Sequence, residues 1–248
     1  MPTVLRLPDR RSDEESLWAL VEAGAVEVEA EGEDLLGLFV GEPPTLPGAR
    51  VEPALMFDQG DTWAASLRPF QVGPLRIAPL GQPGDLVLES GPAFGSGQHP
   101  STRLVLDRLA LRPPTGRVLD VGTGNGILAL AALRLGAASA VGVDTDPAAL
   151  PIAASNAARA GLSDRLELRA DLPEQPFDLI LVNIVADTVL DLAPALLTRL
   201  APGGELCASG VSELRRAEVE RGLRRLGLHV PGGEESGGWW RIDALASW

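Results

Sequence analysis

The chain lacks some residue types and has few of others, and each of these features excludes certain kinds of bond, binding site or membrane segment. Lysine and tyrosine do not occur, so all 21 basic residues are arginine. The single cysteine, Cys207, excludes an internal disulfide and a zinc site built from cysteines. Because His99 and His229 are the only histidines and lie far apart, we expect no bound metal. No apolar run reaches the roughly 18 residues of a membrane-spanning helix, so we expect no membrane association.

Acidic residues outnumber basic ones, and this imbalance limits the kinds of partner that the chain can bind. The formal net charge is −13, of which residues 1–58 contribute −9 and the rest −4. Phosphate contacts need cationic groups, so we expect no direct nucleic-acid binding. The acidic N-terminal part would attract a basic protein. The excess of acidic residues is explained equally well if it only keeps the chain in solution. With one cysteine and no secretion signal, we expect a cytoplasmic protein. We also expect a monomer.

The first part of the chain predicts a small α+β unit. Apolar and acidic residues alternate in segments of strand length, and apolar residues recur at helical spacing between them. No histidine, cysteine or hydroxyl cluster in this unit offers chemistry, so we interpret it as a binding domain. The predicted strands are 4–7, 25–30 and 35–40, and the predicted helix is 13–24.

From residue 117 onward, strand-like and helix-like segments alternate. This order predicts an α/β fold, a doubly wound parallel sheet with helices on both faces. We predict domains at 1–56 and 71–248, joined by a linker at 57–70, with a short helix at 61–67 and an edge strand at 71–79. The further predicted strands are 117–121, 140–144, 166–170, 178–183, 204–209 and 237–245, and the helices are 127–135, 147–160, 186–200 and 212–226.

A glycine-rich turn, DVGTGNG, follows the strand at 117–121 and opens the next helix. Glycines there allow close backbone approach to a ligand, and the helix start offers free N–H groups. The three glycines are Gly122, Gly124 and Gly126. A dinucleotide fingerprint would require glycine at 127, where this chain has Ile127. The spacing therefore favours S-adenosylmethionine (AdoMet) over a dinucleotide.

Polar residues at the ends of the following strands extend this candidate site. Asp144 comes 22 residues after Gly122, where a carboxylate accepts ribose hydroxyls in either cofactor class. Asp171 follows the next strand and has two interpretations. Either its carboxylate reaches the adenine amine of the cofactor, or it is an exposed acidic residue in a loop. Asn183 ends the strand after that, so its amide oxygen either accepts a hydrogen bond from a reacting amine or belongs to a simple turn.

Three further polar or reactive residues are more simply explained by structure or have two open interpretations. Asn156 lies in the middle of a helix and faces either a neighbouring loop or the surface. His99 precedes Pro100 at a predicted helix start, so a structural role is favoured over general-base catalysis. Cys207 lies in a predicted buried strand and is most simply a small core residue.

A second glycine-rich stretch, GPAFGSGQHPST (residues 91–102), lies about thirty residues upstream of DVGTGNG. It is followed by VLDVGTGNGILALAAL, VGVDTDPAAL and DLILVNIVAD, with Asp61, Trp63 and Pro69 upstream and Trp240 downstream. In this order the motifs resemble the ribosomal protein L11 methyltransferase family. The resemblance covers about residues 60–248 well and the first sixty residues in outline. The upstream loop is its specific part, because many methyltransferases share the glycine turn.

The resemblance implies a class I methyltransferase with a Rossmann-like domain and an N-terminal α+β domain of ferredoxin-like form. Family members transfer methyl groups from AdoMet to lysine side chains and the α-amine of a basic large-subunit ribosomal protein. Carried over by position, the cofactor contacts are Thr102, Gly122, Asp144 and Asn183, and Phe94, Gly95 and Gly97 shape the upstream loop over the methionine end. The pattern of the glycine turn and the strand ends adds Gly124, Gly126 and Asp171, and Ser96 offers a hydroxyl from the upstream loop. Asn183 and Phe94 are the expected catalytic residues, and no metal is expected.

This chain departs from the family pattern at Ser96 and Ser101, where threonine is usual. Both serines keep a hydroxyl, so the same hydrogen bonds can form. Three alternatives stay open: a methyltransferase for another protein or a small amine, a Rossmann dehydrogenase, and a non-catalytic AdoMet-binding module.

Overall fold

The structure is a computed structural model that describes residues 2–10, 16, 19–20, 23, 25, 27–31, 33–40, 43–53, 67–89 and 97–248. The described residues form two compact units, one ending at Leu67 and the other beginning at Arg68. Of the helix predicted at 13–24, the described residues 16, 19 and 20 are helical, whereas the helix predicted at 61–67 lies outside the described residues except for Leu67. Most of the predicted linker, 57–70, does too, so the division into domains stays a prediction.

The N-terminal unit contains an antiparallel sheet of the strands β1 (Pro2–Leu7), β2 (Glu27–Glu31), β3 (Asp34–Val40) and β4 (Arg50–Pro53). Their order in the sheet is β2-β3-β1-β4. Three of them coincide closely with predicted strands, whereas β4 was not predicted. Arg6 on β1 pairs with Asp34 and Glu52 at 3.0 Å each, so one of the few cations of this unit is already neutralised. The ferredoxin-like form stays a prediction.

The second unit is built on a sheet of seven strands with order β10-β9-β8-β11-β12-β14-β13. The first five strands are parallel, whereas β14 runs antiparallel to β12, and β13 antiparallel to β14. The strands are β8 (Arg117–Val121), β9 (Ser139–Val143), β10 (Leu166–Arg169), β11 (Phe177–Asn183), β12 (Leu200–Ser212), β13 (His229–Ser236) and β14 (Trp239–Leu245).

The prediction of a parallel sheet is therefore wrong at one edge. Only Gly237 and Gly238 separate β13 from β14, and both have positive φ, 58° and 81°. A two-residue turn with this backbone joins antiparallel strands, because a parallel connection needs a crossover of a dozen or more residues.

Five helices of the described second unit cover the sheet: α1 (Pro100–Leu111), α2 (Ile127–Leu135), α3 (Ala149–Arg159), α4 (Ala186–Leu197) and α5 (Glu213–Arg225). None of the described helices is long and apolar enough to cross a membrane. The helix predicted at 147–160 begins two residues late, and Asp146 accepts a hydrogen bond from the Ala148 N–H at 2.8 Å just before it.

A small three-stranded sheet precedes α1. Its strands are β5 (Phe70–Val72), β6 (Leu75–Pro79) and β7 (Leu86–Leu88), in the order β5-β6-β7. The single edge strand predicted at 71–79 is wrong, because Gly73 at φ 52° turns the chain there and separates β5 from β6. Strand β7 was not predicted.

The central strands have one hydrophobic core on each face of the sheet. Along β11, Leu179 and Leu181 belong to one core, and Ile180 and Val182 belong to the other. Because successive side chains of a strand point to opposite faces, a strand buried on both faces is continuously apolar. This is why DLILV (residues 178–182) shows no alternation.

Buried ion pairs and a hydrogen bond tie α1 to strands β12 and β14 of the sheet. Arg108 of α1 donates to both carboxylate oxygens of Glu205 on β12, at 3.3 and 2.5 Å. Arg241 on β14 donates to the carboxylate of Asp243 and to the backbone carbonyl of Leu104 in α1. Because these contacts hold α1 along its length, they also set the position of its first turn, which carries Thr102.

We predict that Glu205→Ala lowers the free energy of unfolding by about 3–5 kcal/mol, because it leaves the buried Arg108 guanidinium without its carboxylate. Urea denaturation measures this change. Glu234→Ala is the control: Glu234 pairs with Arg241 but its side chain is 53% exposed, so the loss should stay below about 1 kcal/mol. Equal losses in the two variants would contradict the assignment.

Candidate active site

The candidate site lies at the edge of the sheet where the parallel strands end. Strands β9 and β10 lie on one side of β8, and β11 and β12 lie on the other. This reversal of strand order between β8 and β11 opens a crevice at the carboxyl ends, the usual ligand position in such sheets. The structure brings together here the glycine turn after β8, Asp144 after β9 and Asn183 at the end of β11.

The glycine turn has the backbone that its sequence requires. Gly122, Gly124 and Gly126 have φ values of 72°, 54° and 86°, a region that favours glycine. A Cβ on Gly122 would lie 2.6 Å from Cγ2 of Ile184, so a larger residue would require Ile184 to move. The Gly122 N–H donates to the Val143 carbonyl at 2.8 Å, which holds the turn against the end of β9.

Asp144 is oriented by two backbone donors. Its carboxylate accepts hydrogen bonds from the Gly124 N–H at 2.8 Å and from the Asp146 N–H at 2.9 Å. Each carboxylate oxygen retains a further lone pair, so the group can still accept bonds from a diol. Asp171 differs: its side chain is 76% exposed and pairs with Arg169 at 3.0 Å. Its contact with the adenine stays a prediction.

Asp120 is a buried acid to which the sequence patterns gave no role. One carboxylate oxygen accepts from the Thr123 hydroxyl at 2.8 Å and from the Ala129 N–H at 3.1 Å. The other is buried and has no hydrogen-bond partner among the described residues. Burial raises the pKa of Asp120 to about 6, two hydrogen bonds oppose the shift, and the charge of Asp144 adds to it.

Asn183 and Thr102 meet through their side chains. The Asn183 amide nitrogen donates to the Thr102 hydroxyl oxygen at 3.1 Å. The Asn183 amide oxygen is buried and has no partner within the part of the chain that the structure describes. Because a buried acceptor without a partner is rare in folded proteins, it indicates a group reserved for a ligand. The sequence placed both residues at a common site but not in contact.

His99 has the structural role that was expected. Its Nδ1 accepts a hydrogen bond from the Ser101 N–H at 3.3 Å and so caps the start of α1. Its ring packs edge-on against Trp239, with 4.8 Å between the ring centroids. Burial lowers the pKa of His99, which favours the neutral ring that this cap requires.

The described part of the upstream glycine-rich stretch, residues 97–102, approaches the same site. Gly97 has φ 76°, and a Cβ there would lie 2.5 Å from Cδ1 of Ile127, the first residue of α2. Phe94, Gly95 and Ser96 lie outside the described residues, so their roles stay predictions. The two glycine-rich stretches therefore meet at the beginning of α2.

The described residues suit AdoMet better than a metal ion. Within the described ranges, no group of three His, Cys, Asp or Glu side chains could hold a metal. Burial raises the pKa of the Cys207 thiol, so the thiolate form is disfavoured. The glycine turn instead permits close backbone approach to a ligand, and Asp144 can accept the hydroxyls of the ribose in AdoMet.

Comparisons with known proteins agree with this geometry. Residues 57–246 match the family model described as ribosomal protein L11 methyltransferase (PrmA). The ribosomal protein L11 methyltransferase of Azotobacter vinelandii is 40% identical over 211 residues, which are 81% of this chain and 72% of the relative. The one of Xylella fastidiosa (strain 9a5c) is 39% identical over 250 residues, 92% of this chain and 81% of the relative.

A solved structure of the ribosomal protein L11 methylase from Lactobacillus delbrueckii subsp. bulgaricus is similar in fold. The TM-score is 0.63 at 31% sequence identity, over 71% of this chain and 97% of that one. The α/β class predicted from the sequence is confirmed, with the sheet mixed rather than parallel.

We predict that Asp120 makes the stability of the ligand-free protein depend on pH. Its folded pKa of about 6 lies above the usual 3.8, so the protonated form is favoured on folding. This contribution is complete below about pH 4 and is lost as the pH rises to about 6, a loss of about 3 kcal/mol. Urea unfolding of the original chain and of Asp120→Asn across this range measures the difference. Parallel profiles would show that Asp120 does not cause it.

Proposed function

Because the chain belongs to the ribosomal protein L11 methyltransferase family, we propose that it transfers methyl groups from AdoMet to amino groups of ribosomal protein L11. Lysine side chains and the α-amine are the acceptors in this proposal. The observation that carries it is the buried, unpartnered amide oxygen of Asn183 at the edge of the sheet that suits AdoMet.

Asn183 orients the amine in this proposal. The Thr102 hydroxyl occupies its amide nitrogen, which turns the amide oxygen towards the acceptor role. An amine that donates one N–H to this oxygen has its lone pair held in a defined direction. Alignment of the reacting atoms is worth several kcal/mol and up to about 7–11 in ideal cases, so positioning carries most of the catalysis.

When bound, AdoMet would supply a methyl group that its positively charged sulfur activates, with the sulfur as the leaving group. The acceptor amine must be neutral, because its lone pair forms the new bond to the methyl carbon. A lysine amine has an ordinary pKa of about 10.4 and must lose its proton first. Removal from water lowers that pKa, because burial disfavours the charged form. Phe94 would contribute an apolar wall to this environment. Since Asn183 stays neutral, it accepts a hydrogen bond without competing for the proton.

The remaining site residues divide by the part of AdoMet that they would hold. Gly122, Gly124, Gly126, Asp144 and Asp171 are assigned to the nucleoside. Gly95, Ser96, Gly97 and Thr102 are assigned to the amino-acid end. The contact between Gly97 and Ile127 supports a single site made from both stretches.

Substrate recognition is assigned to the N-terminal unit. Residues 1–58 carry a formal charge of −9, and Arg6 is already paired with Asp34 and Glu52. Such a surface would attract a basic protein and repel nucleic acid, and the attraction would weaken as salt is added. The proposal includes a monomer that acts in the cytoplasm, where ribosomal proteins are synthesised.

The direct test is mass spectrometry of purified ribosomal protein L11 after incubation with this chain and AdoMet. We expect its mass to rise in steps of one methylene, and peptide mapping should place the added groups on amino nitrogens. Small amines and an unrelated basic protein are the controls. Binding of AdoMet without methylation of L11 would contradict the proposed substrate but not the cofactor.

For the catalytic residue, we predict that Asn183→Ala lowers kcat about a hundredfold, because the amine is no longer aligned. AdoMet affinity, measured by calorimetry, should change by less than about threefold. Equal losses of turnover and affinity would mean that Asn183 is a cofactor contact only. Asp191→Ala, an exposed change on α4, is the control.

A further inference from the structure

A polar junction outside the catalytic contacts joins three segments of the second unit. Its centre is Asn156 on α3, which is completely buried. Of the two placements considered from the sequence, the one facing a loop is therefore correct. Its partners are Glu89, directly after β7, and Asn125, within the glycine turn.

Asn156 uses its whole hydrogen-bonding capacity in this junction. Its amide oxygen accepts from the Glu89 N–H at 2.8 Å and from the Arg159 guanidinium at 2.7 Å. Its amide nitrogen donates to the Glu89 carbonyl and to the Asn125 carbonyl, both at 3.0 Å. Asparagine has two acceptor and two donor positions, and all four are filled. A carboxylate would instead face two carbonyl oxygens.

Asn125 transmits this contact to the glycine turn. Its side chain donates to the Glu89 carbonyl at 3.1 Å and accepts from the Ile127 N–H at 3.2 Å. Its neighbours Gly124 and Gly126 both have positive φ, so the backbone here has a conformation that few residues adopt. The Gly124 N–H in turn donates to Asp144, the residue expected at the ribose.

The same face of α3 packs on the turn. A Cβ on Gly126 would lie 3.3 Å from the Ala153 Cβ, one helical turn before Asn156. Residues three apart lie on one face of a helix, so Ala153 sets the close approach and Asn156 sets the register of the hydrogen bonds. Glu89 also lies two residues before Gly91, where the upstream glycine-rich stretch begins.

We propose that Asn156 is a positioning residue that holds the glycine turn in the conformation required to bind the nucleoside of AdoMet. It does not touch the reacting atoms and acts through Asn125 and Glu89. The inference rests on the proposed function only for the identity of the cofactor. Its consequence is specific: disturbing Asn156 weakens cofactor binding and leaves the methyl-transfer step at saturating AdoMet largely intact.

The test is the affinity for S-adenosylhomocysteine, measured by calorimetry without a protein substrate. Asn156→Asp should weaken binding about tenfold or more, because two donated hydrogen bonds are lost and a charge faces two carbonyls. In turnover assays, KM for AdoMet should rise with kcat changed by less than about threefold. Ser155→Ala, at the exposed neighbouring position, should bind as the original chain does.

Two further variants separate positioning from folding. Asn125→Ala removes the side-chain hydrogen bonds to the Glu89 carbonyl and the Ile127 N–H, so it should also weaken binding. This variant replaces Asn156→Asp in the test if Asn156→Asp does not fold. Combining the two should not multiply their effects, since both act through one junction. Val219→Ala, in the buried face of α5, is chosen to lower thermal stability without touching the turn, and its affinity should be unchanged.

The inference would be overturned if the Asn156→Asp variant is destabilised as much as Val219→Ala but binds S-adenosylhomocysteine within twofold of the original chain. Failure of the original chain to methylate L11 would overturn the proposed function instead, because these binding measurements use no L11.

Discussion

The parallel pairing of β8 with β11 is the constraint on which the candidate site depends. These strands are separated in sequence by two other strands, yet their register pairs Val121 with Val182. Gly122 and Asn183 each follow their paired valine, so the turn and the amide lie side by side. A slip of one residue would turn every β11 side chain towards the opposite hydrophobic core and move Asn183 away from Thr102.

Buried polar groups in the second unit are satisfied in two ways. Between α1 and the strands β12 and β14, Arg108 pairs with Glu205 and Arg241 pairs with Asp243. Near the carboxyl ends of β8 and β11, one oxygen each of Asp120 and Asn183 remains without a partner among the described residues. Unpaired buried polar atoms cost free energy, so the unpaired oxygen of Asn183 is expected where a ligand supplies the missing contact. The ion pairs anchor α1, and α1 in turn places Thr102 beside Asn183.

Local pattern predicted the elements whose formation depends on nearby residues. Strand β8 and helix α2 coincide with the predicted 117–121 and 127–135, because apolar periodicity and the glycines between them specify both. Strand β13 was missed, since HVPGGEES has neither alternation nor a buried face and is extended only because it pairs with β14. Strand β12 is longer than predicted for the same reason: its glycine-containing ends pair with neighbours far along the chain.

By itself, the sequence determined the fold class, the glycine turn and the positions of Asp144 and Asn183, because backbone conformation and strand ends depend on adjacent residues. Only the tertiary structure decided that Asn183 donates to Thr102, 81 residues away, and that Asn156 holds Glu89, 67 residues away. It alone showed that Asp120 is buried with an unpartnered oxygen. A hydrogen-bond partner is chosen by the packing of the sheet, and no local pattern contains that packing.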